Sequence, residues 1–131
     1  MNAGDATATL TALLEAFSAA DFDRMRELFA EDVASGITNA EGGTDVVSDR
    51  ETLLGRIEAM NLPAVGYSVE LTQEPVAVGD DRAMAMVEIR AKREDRTLHN
   101  FAAHLVRVVD GRITEWSMVD AKPAESDRFW A

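Results

Sequence analysis

The chain has 131 residues, 47% hydrophobic and 28% charged, which is typical of one soluble globular domain. Its 24 acidic residues outnumber 13 basic ones and give a net charge of −11, which disfavours nucleic acids and anionic membranes as partners because both attract positive surfaces. The absence of cysteine excludes disulfides, thiolate nucleophiles and cysteine-ligated zinc.

Three helices are predicted in the first half of the chain. Leucine and phenylalanine recur at helical spacing over residues 5–20 and predict an amphipathic helix. Asp21 is the predicted N-cap of a short second helix. Ser48 and Glu51 match a capping box, which predicts a third helix that ends before Pro63. Between the second and third helices, residues 33–38 are predicted as a short strand and residues 39–45 as a loop at a rim or an entrance.

Beyond Pro63 the apolar positions alternate, which is the period of β-strands. Residues 67–71 and 82–92 are predicted strands, with turns at residues 79–81 and 93–96. Two more strands within residues 97–120 meet at Asp110-Gly111, because such a pair between alternating apolar runs favours a tight hairpin turn. Helices followed by antiparallel strands predict one α+β domain over residues 1–131, with the helices packed on one face of a curved sheet.

The hairpin carries the candidates for chemistry. His104 lies mid-strand among apolar neighbours, so it is predicted to be buried, as a general acid or base or as a satisfied core histidine. Asp120 shares a face with Trp116 and Met118, and desolvation at the mouth of a pocket would raise its pKa. Its alternative role is a strand-end cap or surface charge. His99 is predicted to lie at the rim. His99 and His104 are five residues apart and have no acidic partner at metal-ligand spacing, so they make a weak metal site. Neither a metal nor a cofactor is predicted.

Three segments carry a family resemblance: FSAADFDRMRELFAEDV, VELTQEPVAV and HLVRVVDGRITEWSMVD. They resemble the ketosteroid isomerase and SnoaL-like group of the nuclear transport factor two superfamily, over roughly residues 10–120. The resemblance implies a cone, in which a strongly bent antiparallel sheet wraps around three N-terminal helices and encloses a deep apolar pocket. It also implies a homodimer formed through the outer face of the sheet.

Alignment with these families places their catalytic positions in this chain. The isomerase tyrosine falls at Leu13 and its general-base aspartate at Ile37, with Asn39 the nearest polar residue. The aspartate of the isomerase oxyanion hole falls at Ala103, or at His104 if the turns differ by one residue. Leu13 and Ile37 supply neither a donor nor a base, so classical ketosteroid isomerisation is not expected.

The SnoaL-type polyketide cyclases align differently. Their hairpin histidine matches His104, whereas their catalytic aspartate falls at Met118, the position of an aspartate in limonene epoxide hydrolases as well. Asp120 lies on the same side of the strand, about 7 Å further along.

These features predict a pocket that binds a small apolar molecule and transfers a proton on a cyclic ketone, polyketide or steroid-like compound. Isomerisation, cyclisation or dehydration would follow, without a cofactor, in a cytoplasmic homodimer that binds neither nucleic acid nor membrane. The alternatives are a binding module without catalysis and a dimerisation domain whose pocket is filled by its own side chains, such as Phe17, Met118 or the C-terminal Phe129-Trp130. His104 and Asp120 are the predicted catalytic residues, and the predicted pocket lining is Leu13, Phe17, Ile37, Asn39, Phe101, Ala103, Trp116 and Met118.

Overall fold

A computed structural model describes residues 3–131, with side chains from Asp5 onward. The helices are α1 (Ala3–Ala19), α2 (Phe22–Leu28), α3 (Arg50–Ala59) and α4 (Pro123–Trp130), and a short 3-10 helix spans Leu62–Val65. The strands are β1 (Phe29–Thr38), β2 (Thr44–Val47), β3 (Ser68–Leu71), β4 (Val76–Val78), β5 (Arg82–Arg93), β6 (Arg96–Val109) and β7 (Arg112–Asp120).

The seven strands form one sheet in the order β2-β1-β7-β6-β5-β3, and β4 also pairs with β5. All of these pairings are antiparallel except that of β1 with β7, which is parallel. The register shifts between Phe29 and Ala34 and between Arg107 and Val108, and such irregularities bend a sheet. The sheet curls around the N-terminal helices, which is the α+β cone predicted from the sequence.

The core lies between α1 and the inner face of the long strands. Alternate residues of β6 from Leu98 to Val108 are buried, whereas their neighbours are exposed or half-buried. In α1, Leu10 and Leu13 are completely buried, which fits the predicted apolar stripe. The same buried cluster includes Phe29 and Trp116, so one continuous core links the helices to the hairpin.

Local sequence signals account for most element boundaries. The Asp21 carboxylate accepts a hydrogen bond from the Arg24 backbone N–H and caps α2, as predicted. Asp110 and Gly111 both have positive φ, of 53° and 78°, as a two-residue hairpin turn requires. The predicted cap of α3 is wrong by one residue: Asp49, not Ser48, accepts from the Thr52 N–H.

The structure also contains elements that were not predicted. The strand β4 has three residues, and α4 follows the hairpin where the sequence left the conformation open. The predicted loop over residues 39–45 is shorter, since its last two residues belong to β2. None of the helices within residues 3–131 is long and apolar enough to cross a membrane.

Candidate functional site

Asp120 is the carboxylate that the fold removes most clearly from water. It is the last residue of β7, faces the inside of the cone and is 7% exposed. Its backbone N–H donates to the Thr38 hydroxyl of β1 at 3.1 Å, which fixes the strand end, while the carboxylate Oδ1 has no hydrogen-bond partner within the described chain. Burial raises the pKa of Asp120 to about 6, because desolvation penalises the charged form. The Ser126 hydroxyl opposes this effect by hydrogen bonding, and the negative charge of Asp127 reinforces it.

Asp120 opens into a small cavity of about 130 Å³ between the sheet and α4. Strands β1, β2, β5, β6 and β7, together with Met60 after α3 and Tyr67 before β3, provide its walls, and α4 covers it. The apolar lining residues are Ile37, Met60, Ile89, Leu98, Met118 and Trp130. The polar ones are Thr38, Asp45, Tyr67, Asp120, Ser126 and Asp127. Half of the lining residues are polar, so the cavity combines apolar walls with several groups that could orient a small molecule.

Tyr67 provides the phenol of this cavity. It lies just before β3, and its ring contacts that of Trp130 with centroids 6.2 Å apart. Burial raises the pKa of the Tyr67 phenol, and the negative charge of Asp120 raises it further. The phenol therefore keeps its proton at neutral pH and can donate a hydrogen bond.

His104 lies on the inner face of β6, opposite Met118 of β7, and is 2% exposed. Its Nδ1 accepts a hydrogen bond of 2.9 Å from the Trp116 indole N–H, and the two rings stack with centroids 5.9 Å apart. Because Nδ1 is the acceptor, the neutral ring carries its proton on Nε2, which has no partner among the described residues. Burial lowers the pKa of His104 to about 4, so the imidazole is neutral at physiological pH.

Helix α4 is fastened over the cavity at both of its ends. At its start, the Asn100 amide donates to the Lys122 carbonyl and the Ser126 hydroxyl, and the Asn100 carbonyl oxygen accepts from the Lys122 N–H. At its end, the guanidinium groups of Arg93 and Arg96 donate to the Phe129 carbonyl. Cations at a helix C-terminus also offset its dipole. These contacts place Trp130 against the cavity.

The structure separates the predicted site residues into three groups. Asp120, Ile37 and Met118 line the cavity. His104 lies beside it in the core, with Trp116, Phe17 and Leu13, and the Phe17 and Trp116 rings have centroids 5.7 Å apart. His104 and Asp120 are therefore both internal, but only Asp120 borders the open space.

The last group, predicted to line the pocket, lies outside it. Phe101 is 40% exposed and Ala103 is half-buried, and both lie on the outer face of β6 because the strand alternates and Asn100 and His104 face inward. Asn39 belongs to the exposed β1–β2 turn, where its side chain accepts from the Gly43 N–H and donates to Asp45. For these three residues the expected pocket lining is corrected.

The cavity residues Tyr67, Ser126 and Asp127 were not predicted from the sequence, and Trp130 was considered only as a side chain that could fill the pocket. Tyr67 is the chain's one tyrosine, and a tyrosine at the start of an apolar strand needs a polar partner when it is buried. The start of α4 also carries a signal, because Pro123 at the first turn followed by Glu125 is typical of a helix N-terminus.

No group of three or more His, Asp or Glu side chains suited to a metal ion occurs in the described part of the chain.

Comparisons with known proteins agree with this architecture. An uncharacterized protein of Mycobacterium tuberculosis is 27% identical over 116 residues, which cover 88% of each chain. The structure of Bal32a, from a soil-derived mobile gene cassette, covers 98% of both chains with a TM-score of 0.86 and 18% identity. That of an M. tuberculosis LEH-like epoxide hydrolase covers 96% of this chain and 90% of its own, with a TM-score of 0.77 and 18% identity. At such identities the structures show a shared fold and nothing about the reaction.

The family comparison covers most of the elements described above. The model of the SnoaL-like domain matches residues 10–116, from the middle of α1 to Trp116 in β7. The match ends before Asp120, so α4, the helix that covers the cavity as its lid, lies outside the matched residues. The chain belongs to the SnoaL-like domain family.

Proposed function

We propose that the cavity binds a small cyclic carbonyl compound and that Asp120 transfers a proton on it. The observation that carries this proposal is the buried Asp120 carboxyl, which has an unpartnered Oδ1 and a pKa raised to about 6. A carboxylate of this kind is ionised at neutral pH yet more basic than an exposed aspartate. Membership in the SnoaL-like family supports carbonyl chemistry, as do solved structures of candidate polyketide cyclases that share the fold.

The proposed reaction is an enolisation. The Asp120 carboxylate takes a proton from the carbon beside the carbonyl, and the electron pair of that C–H bond moves into the C–O unit to form an enolate. The Tyr67 phenol donates a hydrogen bond to the oxygen as its negative charge develops. The Asp120 carboxylic acid then returns the proton to the same or another carbon, which completes exchange or isomerisation. Both groups are side chains of the cavity, so the proposed step requires no cofactor.

We assign His104 a supporting role. Its Nδ1 is occupied by the Trp116 N–H and its pKa is about 4, so it does not accept a proton at neutral pH. The Nε2–H group is a fixed donor beside Met118, which lines the cavity. The neutral imidazole fixes the Trp116 indole by accepting its N–H hydrogen bond, and the Trp116 ring in turn packs against Phe17 and Phe29.

The size of the cavity narrows the substrate class. A volume of about 130 Å³ is well below the range of roughly 300–1,000 Å³ that is usual for drug-sized ligands. A compound with one ring fits this space, whereas a multi-ring polyketide or steroid does not while α4 is in place. We therefore propose single-ring ketones as the first substrates to test.

The test is deuterium exchange into cyclohexanone, followed by proton NMR in D₂O. We expect the wild type to accelerate exchange beside the carbonyl, Asp120→Asn to abolish the acceleration and Tyr67→Phe to slow it roughly tenfold or more. Asp80→Asn, on the exposed turn before β5, is the matched control and leaves the rate unchanged. Equal rates in wild type and Asp120→Asn would refute the proposal.

A binding module without catalysis is the second candidate, and the closure of the cavity favours it. Helix α4 holds Trp130 against the chamber through contacts at both ends, which limits the entry of substrate and the release of product. This candidate predicts that cyclohexanone raises the melting temperature without any exchange above the buffer rate. Exchange that depends on Asp120 would exclude it.

We also propose that the protein is a homodimer formed through the outer face of the sheet. Met86, Ala103 and Val119 lie in register across β5, β6 and β7, and Met86 and Val119 are 45% and 51% exposed. Phe101 and Met84 extend this apolar patch. The charged side chains beside this patch are already ion-paired, Glu88 with Arg90 and Asp81 with Arg107. Two copies can therefore meet there with little charge repulsion. The SnoaL-like family membership favours a second copy of this chain as the partner.

A further inference from the structure

A second, larger space lies on the other side of Trp130. This outer cleft has a volume of about 590 Å³ and is open to solvent. The end of α3, the 3-10 helix, the β5–β6 turn and the end of α4 surround it. Its lining residues are Arg56, Ala59, Met60, Asn61, Ala64, Val65, Arg93, Glu94, Trp130 and Ala131.

The outer cleft carries positive charge in a strongly acidic chain. Arg56, in the last turn of α3, and Arg93, at the end of β5, have no carboxylate within 4.0 Å in the described part of the chain. Arg93 uses one N–H to bind the Phe129 carbonyl, which leaves other donors of its guanidinium available. Glu94 is the acidic side chain of the lining, and it pairs with neither arginine. Six arginines have side-chain carboxylate partners in the described part of the chain: Arg24, Arg26, Arg50, Arg82, Arg90 and Arg107. Arg96, Arg112 and Arg128 share with Arg56 and Arg93 the lack of such a partner there, but they do not line the outer cleft.

Met60 and Trp130 connect this cleft with the cavity of Asp120, because both residues line both spaces. Their side chains form part of the partition between the two spaces. Methionine adapts its shape easily, and Met60 and Trp130 are both half-buried, so a change of side-chain rotamer could open the partition while α4 keeps its contacts. A ligand that passes between them would place one end against Asp120 and the other in the outer cleft.

We propose that the natural ligand spans this partition, with an apolar carbonyl ring in the inner cavity and an anionic group, a carboxylate, held by Arg56 and Arg93 in the outer cleft. The inference rests on the proposed function for the position of the ring. It narrows the substrate class from any single-ring ketone to a cyclic keto acid whose carboxylate is joined to the ring by a short alkyl tether. Arginine suits this role, since its fork of N–H donors matches the two oxygens of a carboxylate.

A matched pair of probes tests the inference: an oxocyclohexyl butanoate and its primary amide, which share size and shape but differ in charge. We expect the wild type to bind the acid about tenfold more tightly than the amide in calorimetric titration, as is typical of a charge-assisted hydrogen bond. Arg56→Met should remove most of this preference while leaving the affinity for the amide unchanged. Arg112→Met is the matched control, because Arg112 is an exposed arginine at the distant β6–β7 turn, and it should keep the preference.

A second variant shows whether the ring occupies the inner cavity. Ile37→Trp fills that cavity and should weaken the binding of both probes equally. If both probes bind in an Ile37-dependent way with equal affinity, the anionic site is refuted and the proposed function stands. If the acid is preferred and Arg56 is required, but Ile37→Trp has no effect, the spanning mode is refuted. Failure of both probes to bind would refute the spanning mode and the proposed ligand together.

Discussion

Replacing Asp120 with asparagine should stabilise the protein at neutral and alkaline pH. The buried Asp120 carboxyl is harder to ionise in the folded chain than in the unfolded one, so the folded state holds its proton over a wider pH range. Its contribution to the free energy of unfolding is therefore most favourable in acid and is lost as the pH rises towards the folded-state pKa of about 6. Asparagine cannot ionise and carries no such loss.

The size of the effect follows from the two pKa values. The folded value of about 6 against the ordinary value of 3.8, at about 1.4 kcal/mol per pKa unit, corresponds to about 3 kcal/mol above pH 6. The amide introduced by Asp120→Asn would lose part of the bond to the Ser126 hydroxyl, so we expect a net gain of about 1–3 kcal/mol near pH 8. The difference between the two proteins should fall by about 2–3 kcal/mol between pH 8 and pH 4, so that in acid the wild type is as stable as Asp120→Asn or more stable, by the energy of the weakened Ser126 bond.

Urea denaturation of both proteins from acid to alkaline pH measures this difference. The buried neutral His104, with its pKa lowered to about 4, gives the opposite pH dependence: its contribution to the free energy of unfolding is complete above pH 6.5 and is lost as the pH falls. Because both proteins contain His104, subtracting the two curves removes this contribution. Asp80→Asn serves as control, because Asp80 is exposed. A constant offset between wild type and Asp120→Asn at all pH values would refute the desolvation argument.

Three further predictions concern the core, the lid and the outer face. The His104 imidazole should stay neutral with its proton on Nε2 down to about pH 5 in nitrogen NMR spectra, and a midpoint near 6.5 would contradict the buried Trp116–His104 pair. Asn100→Ala should cost about 2–3 kcal/mol of unfolding free energy, because it leaves backbone groups of the α4 start unpaired, and amide exchange should accelerate in α4 first. Phe101→Glu should shift a dimer to monomers in sedimentation experiments, whereas Val46→Glu, at an exposed apolar site on β2 outside the proposed interface, should not. A Phe101→Glu protein that sediments like the wild type would contradict the proposed interface.

The parts of the fold that were predicted correctly depend on strong local patterns. The stripe of α1, the Asp21 cap and the Asp110-Gly111 turn each follow from a few neighbouring residues. The helix α4 has a weaker local pattern, and its position comes from distant partners on β5 and β6, among them Arg93 and Asn100. Tertiary anchors of this kind leave no periodic signal in the sequence.

The candidate site was predictable only where strand alternation applies. Alternation places His104 and Asp120 on the inner face, and the structure buries both. The same rule places Phe101 and Ala103 on the opposite face, although both were predicted to line the pocket, Ala103 because it aligns with an isomerase catalytic position. Tyr67 and Trp130 belong to elements that meet β7 only in the folded chain, so no spacing in the sequence relates them to Asp120.

The most direct test of the account is a carbon NMR titration of the Asp120 carboxyl, recorded with and without cyclohexanone. We predict a pKa of about 6 for Asp120 in the free protein, and a further rise when the ketone occupies the cavity and excludes water from the carboxylate. A pKa near the ordinary value of 3.8 that does not respond to the ketone would contradict both the desolvated carboxyl and the cavity as its binding site.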